Sequence, residues 1–165
     1  MKDHVNELQG TKEGLKQAIS SISEEDFNEV PFADSWTPAQ VAEHVLKGVG
    51  VDVLYGHTQP TDRNPGENTA QLEGIFLNFD TKMKSPQSIL PSGVPHKKAE
   101  MLHEIDAKWD KLTDAVNTLD LSLTCTDFEF PGIGYLTRLE YVVLFNVHTQ
   151  RHTHQLKNIA GVLAA

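Results

Sequence analysis

The sequence predicts an all-α chain, an antiparallel helical bundle with a long last helix. Three observations carry this. Apolar residues recur at three- and four-residue spacing in five separate segments. Clusters of Pro, Gly and Asn punctuate the gaps between them. Two of the segments open with strong N-terminal signals, at Thr37 and at Thr137.

The first helix is expected over residues 3–22, where Val5, Leu8, Leu15, Ile19 and Ile22 fall in register despite Gly10 and Gly14. The second opens at Thr37-Pro38-Ala39-Gln40. Thr37 is a suitable N-cap, Pro38 suits the first helical position, and Gln40 completes a capping box. Val41, Val45, Leu46, Val49 and Val53 follow, with Gly56 as the expected stop. Residues 57–67 read as a loop. A third helix is expected over residues 68–83, with Leu72, Ile75, Phe76 and Phe79 inward.

Residues 85–95 hold three prolines and read as a second loop. The fourth helix is expected over residues 96–119, carrying Met101, Leu102, Ile105, Trp109, Leu112 and Val116. Residues 121–134 look irregular, with an extended piece at 124–130, and no pair of strands is expected. The last helix opens with the capping box Thr137-Arg138-Leu139-Glu140 and runs to about Val162 without a proline. Elements that must bury one stripe each against their neighbours form a bundle. At 165 residues, with no repeat or linker, the chain is expected to be one domain, 1–165.

Composition narrows the function. The net charge of −9, with no Lys/Arg stripe, argues against nucleic acid and against an anionic membrane surface. No apolar run approaches the roughly 20 residues of a membrane span. Met1 to Glu7 show no apolar segment behind the lysine, so no secretory leader is expected and the cytoplasm is the default location. The single cysteine, Cys125, excludes a disulfide framework and a Cys-based zinc knuckle; it reads as a structural thiol.

Histidine is the unusual component, with eight residues. His148 and His152 stand four apart on the last helix, so both rings return to one face about 6 Å apart along the axis. Chance alone would give about 0.3 such pairs. Context strengthens the pair, because Tyr141, Leu144, His148, His152, Gln155 and Ile159 share the apolar stripe. Two inward imidazoles need partners, either an ion or neighbouring hydrogen-bonders. His44 lies on the inward stripe of the second helix, flanked by Val41, Val45 and Gly48. The candidate metal ligands are therefore His44, His148 and His152. Three imidazoles leave coordination positions open, the pattern of a reactive site. Gln155, one turn past His152, is a candidate for orienting a ligand, and Arg151 for attracting an anion, although each also reads as an ordinary polar residue of the helix surface. His154 lies about 200° around the helix from His152 and cannot share its ion. His4, His57, His96, His103 and His154 read as surface residues.

Trp36-Thr37-Pro38-Ala39-Gln40-Val41-Ala42-Glu43-His44 resembles the segment that opens the second helix in the DinB-like (YfiT-like) superfamily. The segment Gly134-Tyr135-Leu136-Thr137-Arg138-Leu139-Glu140-Tyr141, with His148, Arg151-His152 and Gln155-Leu156, resembles its last helix. The resemblance covers essentially the whole chain in helix order. It implies a four-helix bundle, often a homodimer, with His44, His148 and His152 holding a divalent ion such as nickel or zinc. It also implies a small-molecule substrate. Relatives include S-transferases that use low-molecular-weight thiols such as bacillithiol or mycothiol. The expected activity is a thiol-dependent S-transfer or a related metal-dependent hydrolysis; the rival is a non-catalytic metal-binding or stress-response bundle. No catalytic acid or base carries over, and no Glu stands where a HExxH protease needs one.

Overall fold

The computed structural model describes residues 3–165. Met1 and Lys2, on which the leader argument and part of the domain reading rest, lie outside the described residues. The fold is mostly helical, with five α-helices among the described residues: α1 (His4–Ser20), α2 (Pro38–Gly48), α3 (Thr69–Phe76), α4 (Lys98–Thr118) and α5 (Arg138–Leu163). None of these helices is long and apolar enough to cross a membrane. The longest, α5, packs against α1, α2 and α3, while α4 packs against α1 and α2.

Local chemistry explains the helix starts. Asp3 caps α1 by accepting the Asn6 N–H at 3.1 Å. Both capping boxes form. Thr37 Oγ1 accepts the Gln40 N–H at 3.0 Å and Gln40 Oε1 accepts the Thr37 N–H at 2.9 Å. Thr137 and Glu140 repeat this pattern at 3.1 and 2.9 Å. Glu140 is wholly buried, and the Arg63 guanidinium grips its two oxygens at 2.9 and 2.6 Å. That fork fastens the loop before α3 onto the start of α5.

The core is built from helical periodicity. Leu8, Leu15 and Ile19 of α1 meet Met101, Ile105, Trp109 and Leu112 of α4, all at 0–1 % exposure. The Trp109 indole N–H donates to the Leu8 carbonyl at 3.1 Å, so the largest core side chain leaves no unpaired donor.

The structure corrects two helix ends. The second helix stops at Gly48, eight residues before Gly56, and residues Val51–Tyr55 follow as a 3-10 turn that still buries Val51 and Leu54. Gly48 and Gly50 both weaken helix continuation there. The third helix ends at Phe76 instead of near Met83. Beyond it, Arg151 of α5 takes the carbonyls of Phe76, Asn78 and Thr81, which a continuing helix would have needed. Phe79, expected inward, is 41 % exposed and stacks on His154 at a ring-centroid distance of 4.3 Å.

A small strand pair also forms where none was expected. The strands β1 (Thr58–Gln59) and β2 (Thr124–Cys125) run antiparallel, with Thr58 opposite Cys125. Two residues a side carry no periodic signal that a sequence reading can detect.

Candidate metal centre

The site forms where α2 crosses α5. His44 lies one turn before the end of α2, and His148 and His152 lie one turn apart near the middle of α5. His44 and His148 are buried and His152 is half-buried. The structure brings these three side chains together by their Nε2 atoms. His44 Nε2 stands 3.0 Å from His152 Nε2 and 3.1 Å from His148 Nε2. One donor nitrogen from each ring lies within 4.8 Å of the others.

The far nitrogens determine what the near ones can do. His44 Nδ1–H donates to the Ile89 carbonyl at 2.8 Å, and His152 Nδ1–H donates to Gln155 Oε1 at 2.7 Å. Each ring's single proton is thereby used, so both Nε2 atoms carry bare lone pairs. Extra protons do not resolve this. Burial pushes the His44 imidazole below its usual range, and burial with the neighbouring His44 and Arg151 charges pushes His152 down to about 4 against the opposing Gln155 bond. Burial, followed by the charges of His152, His44 and Arg151, pushes His148 down to about 2. All three rings are neutral near neutrality.

Two lone pairs therefore face each other across 3.0 Å with no proton between them. A cation resolves the repulsion. Two nitrogens about 2.05 Å from one ion, at angles of about 90–110°, lie about 2.9–3.4 Å apart, which spans both separations from His44. Three neutral imidazoles suit zinc, nickel, copper or iron. His148 Nδ1 is buried with no hydrogen-bond partner among the described residues.

Aromatic walls flank the rings. Trp36, just ahead of the α2 cap, packs on His44 at 4.9 Å between ring centroids. Phe76, the last residue of α3, sets its edge toward His148 at 5.9 Å. These apolar rings lower the local polarity beside His44 and His148, which strengthens electrostatic interactions there.

Other candidate residues take different places. Gln155 orients His152. Arg151 donates to backbone carbonyls of the segment after α3 and keeps its positive charge, which acts on His148 and His152. Cys125 is buried, and burial raises its thiol pKa, as an inert structural cysteine requires. His57 and His103 are exposed, His4 is half-buried, and His154 is the exposed partner of Phe79.

His96 differs from its expected surface role. It is half-buried, and its Nε2–H donates to Glu43 Oε1 at 2.6 Å. Sequence reasoning overlooked Glu43, Ile89 and Ser92. The available signal was the run Gln40, Glu43, His44, Lys47, four polar residues on one stripe of an otherwise apolar helix.

A family model described as the DinB superfamily matches residues 7–156. Over 149 residues the chain is 24 % identical to the uncharacterized protein YuaE of Bacillus subtilis (strain 168), covering 86 % of this chain and 87 % of the relative. No solved structure matches significantly. With the family model spanning the helices and all three histidines, the chain belongs to the DinB superfamily.

Proposed function

We propose that this chain is a single-domain metal-dependent enzyme whose ion is held by His44, His148 and His152, and that its reaction is a thiol-dependent S-transfer to a small electrophilic molecule. The observation that carries the reading is the pair of lone-pair nitrogens on His44 and His152, 3.0 Å apart. We read α1, α2, α4 and α5 as an antiparallel four-helix bundle with α3 added beside α5, and a homodimer as its assembly. Nickel and zinc are the preferred ions, since imidazole sites favour both.

When bound, such an ion is a Lewis acid that keeps its full positive charge among neutral ligands and lowers the pKa of a thiol or water. The chain's own residues prepare the site. The Ile89 carbonyl and Gln155 fix the tautomers of His44 and His152, and Trp36 and Phe76 pack against the rings of His44 and His148. Among the described residues no carboxylate touches the three Nε2 atoms, so no protein base is assigned. That same feature favours the second reading, a metal-binding bundle without turnover.

Metal analysis by mass spectrometry on untagged protein tests the site. The native chain should hold about one equivalent of ion, and His44→Ala, His148→Ala and His152→Ala should each lose it. Turnover of an electrophile panel only with added thiol supports S-transfer, and turnover without thiol supports hydrolysis. Full loading with no turnover supports the non-catalytic bundle. A native chain that stays empty in nickel and zinc refutes the metal reading.

A further inference from the structure

The polar stripe of α2 grips a single stretch of backbone. Gln40 Nε2 donates to the Ser92 carbonyl at 3.3 Å, and Lys47 Nζ donates to the Leu90 carbonyl at 2.8 Å. Between them, His44 Nδ1–H donates to the Ile89 carbonyl at 2.8 Å. Glu43 accepts from Ser92 twice, from its Oγ–H at 2.7 Å and from its backbone N–H. Residues 85–97 thus form a strap over α2. Apart from the 3-10 turn Gln87–Ile89 the strap has no regular structure, so no backbone ladder holds it.

The four grips are not equal. Lys47 is 41 % exposed at its side chain, against 10 % for Glu43. Glu43 also takes the His96 Nε2–H at 2.6 Å at the far end of the strap. There Asn28 clamps the His96 backbone from both sides, donating to its carbonyl at 2.8 Å and accepting its N–H at 2.9 Å. Glu43 is therefore the point at which strap, α2 and the segment before it converge. It does not touch His44, its neighbour in sequence. Its influence on His44 runs through Ser92 and the two intervening residues, Leu90 and Pro91, back to Ile89.

We propose that Glu43 is a positioning residue for the three-histidine centre: by holding Ser92 it keeps the Ile89 carbonyl on His44 Nδ1, which leaves His44 Nε2 as the lone-pair nitrogen facing His148 and His152. Without that acceptor, His44 is free to exchange tautomers and to rotate, and a nitrogen bearing a proton cannot ligate an ion. The consequence for metal affinity rests on the proposed function; the tautomer itself does not.

The test compares the native chain with Glu43→Ala, Ser92→Ala and, as a remote control, Asp106→Asn. Histidine side-chain ¹⁵N NMR on metal-free protein reads the His44 tautomer. Competition between zinc and a chelator reads affinity. The native chain should show His44 protonated at Nδ1. Glu43→Ala should mix the two tautomers and weaken zinc by about tenfold or more. Ser92→Ala removes the hydroxyl bond to Glu43 and keeps the backbone one, so it should move both readouts the same way by a smaller amount, and it carries the test alone if Glu43→Ala does not fold. Asp106→Asn should move neither. An unchanged His44 tautomer in the folded strap variants overturns the proposal, and so does an unchanged zinc affinity beside a changed tautomer. Should the native chain take no zinc, the metal reading fails, and the NMR comparison alone decides the role of Glu43.

Discussion

The imidazole of His148 lies so close to the Cα of Gly48 that a Cβ there would sit 2.5 Å from Cε1 and 2.8 Å from Nδ1. Only glycine permits this approach, and the contact sets the depth at which His148 enters the cluster. Gly48→Ala must therefore push the ring away. Overpacking costs about 1–3 kcal/mol, and the better helix propensity of alanine returns at most about 1 kcal/mol. We expect a net loss of about 1–2 kcal/mol in urea titration, with a far larger effect on the ion. Zinc affinity by chelator competition should fall at least about tenfold. Native affinity in a folded Gly48→Ala chain would show that His148 does not need its observed place.

Metal removal should be visible in stability. An ion that binds only the native state stabilises it by mass action, about 2.7 kcal/mol at one hundred times its Kd. For a chain of this size that is about 5–11 °C in Tm. Differential scanning fluorimetry with zinc and then with excess EDTA should show the rise and its reversal. His152→Ala should be indifferent to both. A native Tm that ignores zinc and chelator alike would leave the three rings without their proposed occupant.

Much of this architecture was legible because it is local. The boxes Thr37/Gln40 and Thr137/Glu140 are four-residue patterns, and both form as written. His148 and His152 meet because four residues make one turn. The boundaries that moved depend on distant partners. Gly48 was readable as a weak helix position, but its contact with His148 spans the two packed helices α2 and α5. The early end of α3 follows from Arg151, far along the chain, taking carbonyls at 76, 78 and 81. Glu43 was marked only by the polar stripe it shares with Gln40, His44 and Lys47; its partners Ser92 and His96 were not legible, because they precede α4 in a proline-rich stretch without periodicity. His96 was assigned to the surface because Lys97, Lys98 and Glu100 beside it read as a solvated face.

Acid stability should report Glu43. Burial alone would raise its carboxyl, but the bonds from His96, Ser92 and Lys47 outweigh this and hold it at about 2, against an ordinary 4.5. A depressed folded pKa contributes stability that is fully present above about pH 4.5. It is lost as the pH falls from there toward 2. We expect the native chain to exceed Glu43→Gln by roughly 2 kcal/mol at pH 6, with the gap closing between pH 4.5 and pH 2. Urea titrations of metal-free protein at pH 6, 4 and 2.5 measure it. A gap independent of pH would mean that Glu43 acts through shape, not charge.

Arg151 offers the complementary test, because it holds the segment after α3 without touching the three Nε2 atoms. Its guanidinium donates to the carbonyls of Phe76 at 3.4 Å, Asn78 at 2.8 Å and Thr81. Its planar fork serves carbonyls in several directions, which a lysine ammonium on a flexible stem does not reproduce. Both Arg151→Ala and Arg151→Lys should therefore loosen residues 77–84. Charged donors contribute about 1.5–3 kcal/mol each when buried, and partial exposure here reduces the expected local loss to about 1–2 kcal/mol. That corresponds to amide exchange faster by about five- to thirtyfold in this segment, measured by mass spectrometry. Zinc affinity should change less than about threefold, because the tautomers of His44 and His152 are set by Ile89 and Gln155. A large loss of zinc in Arg151→Lys, with segment 77–84 still protected, would show that Arg151 supports the metal site directly and not through the segment it holds.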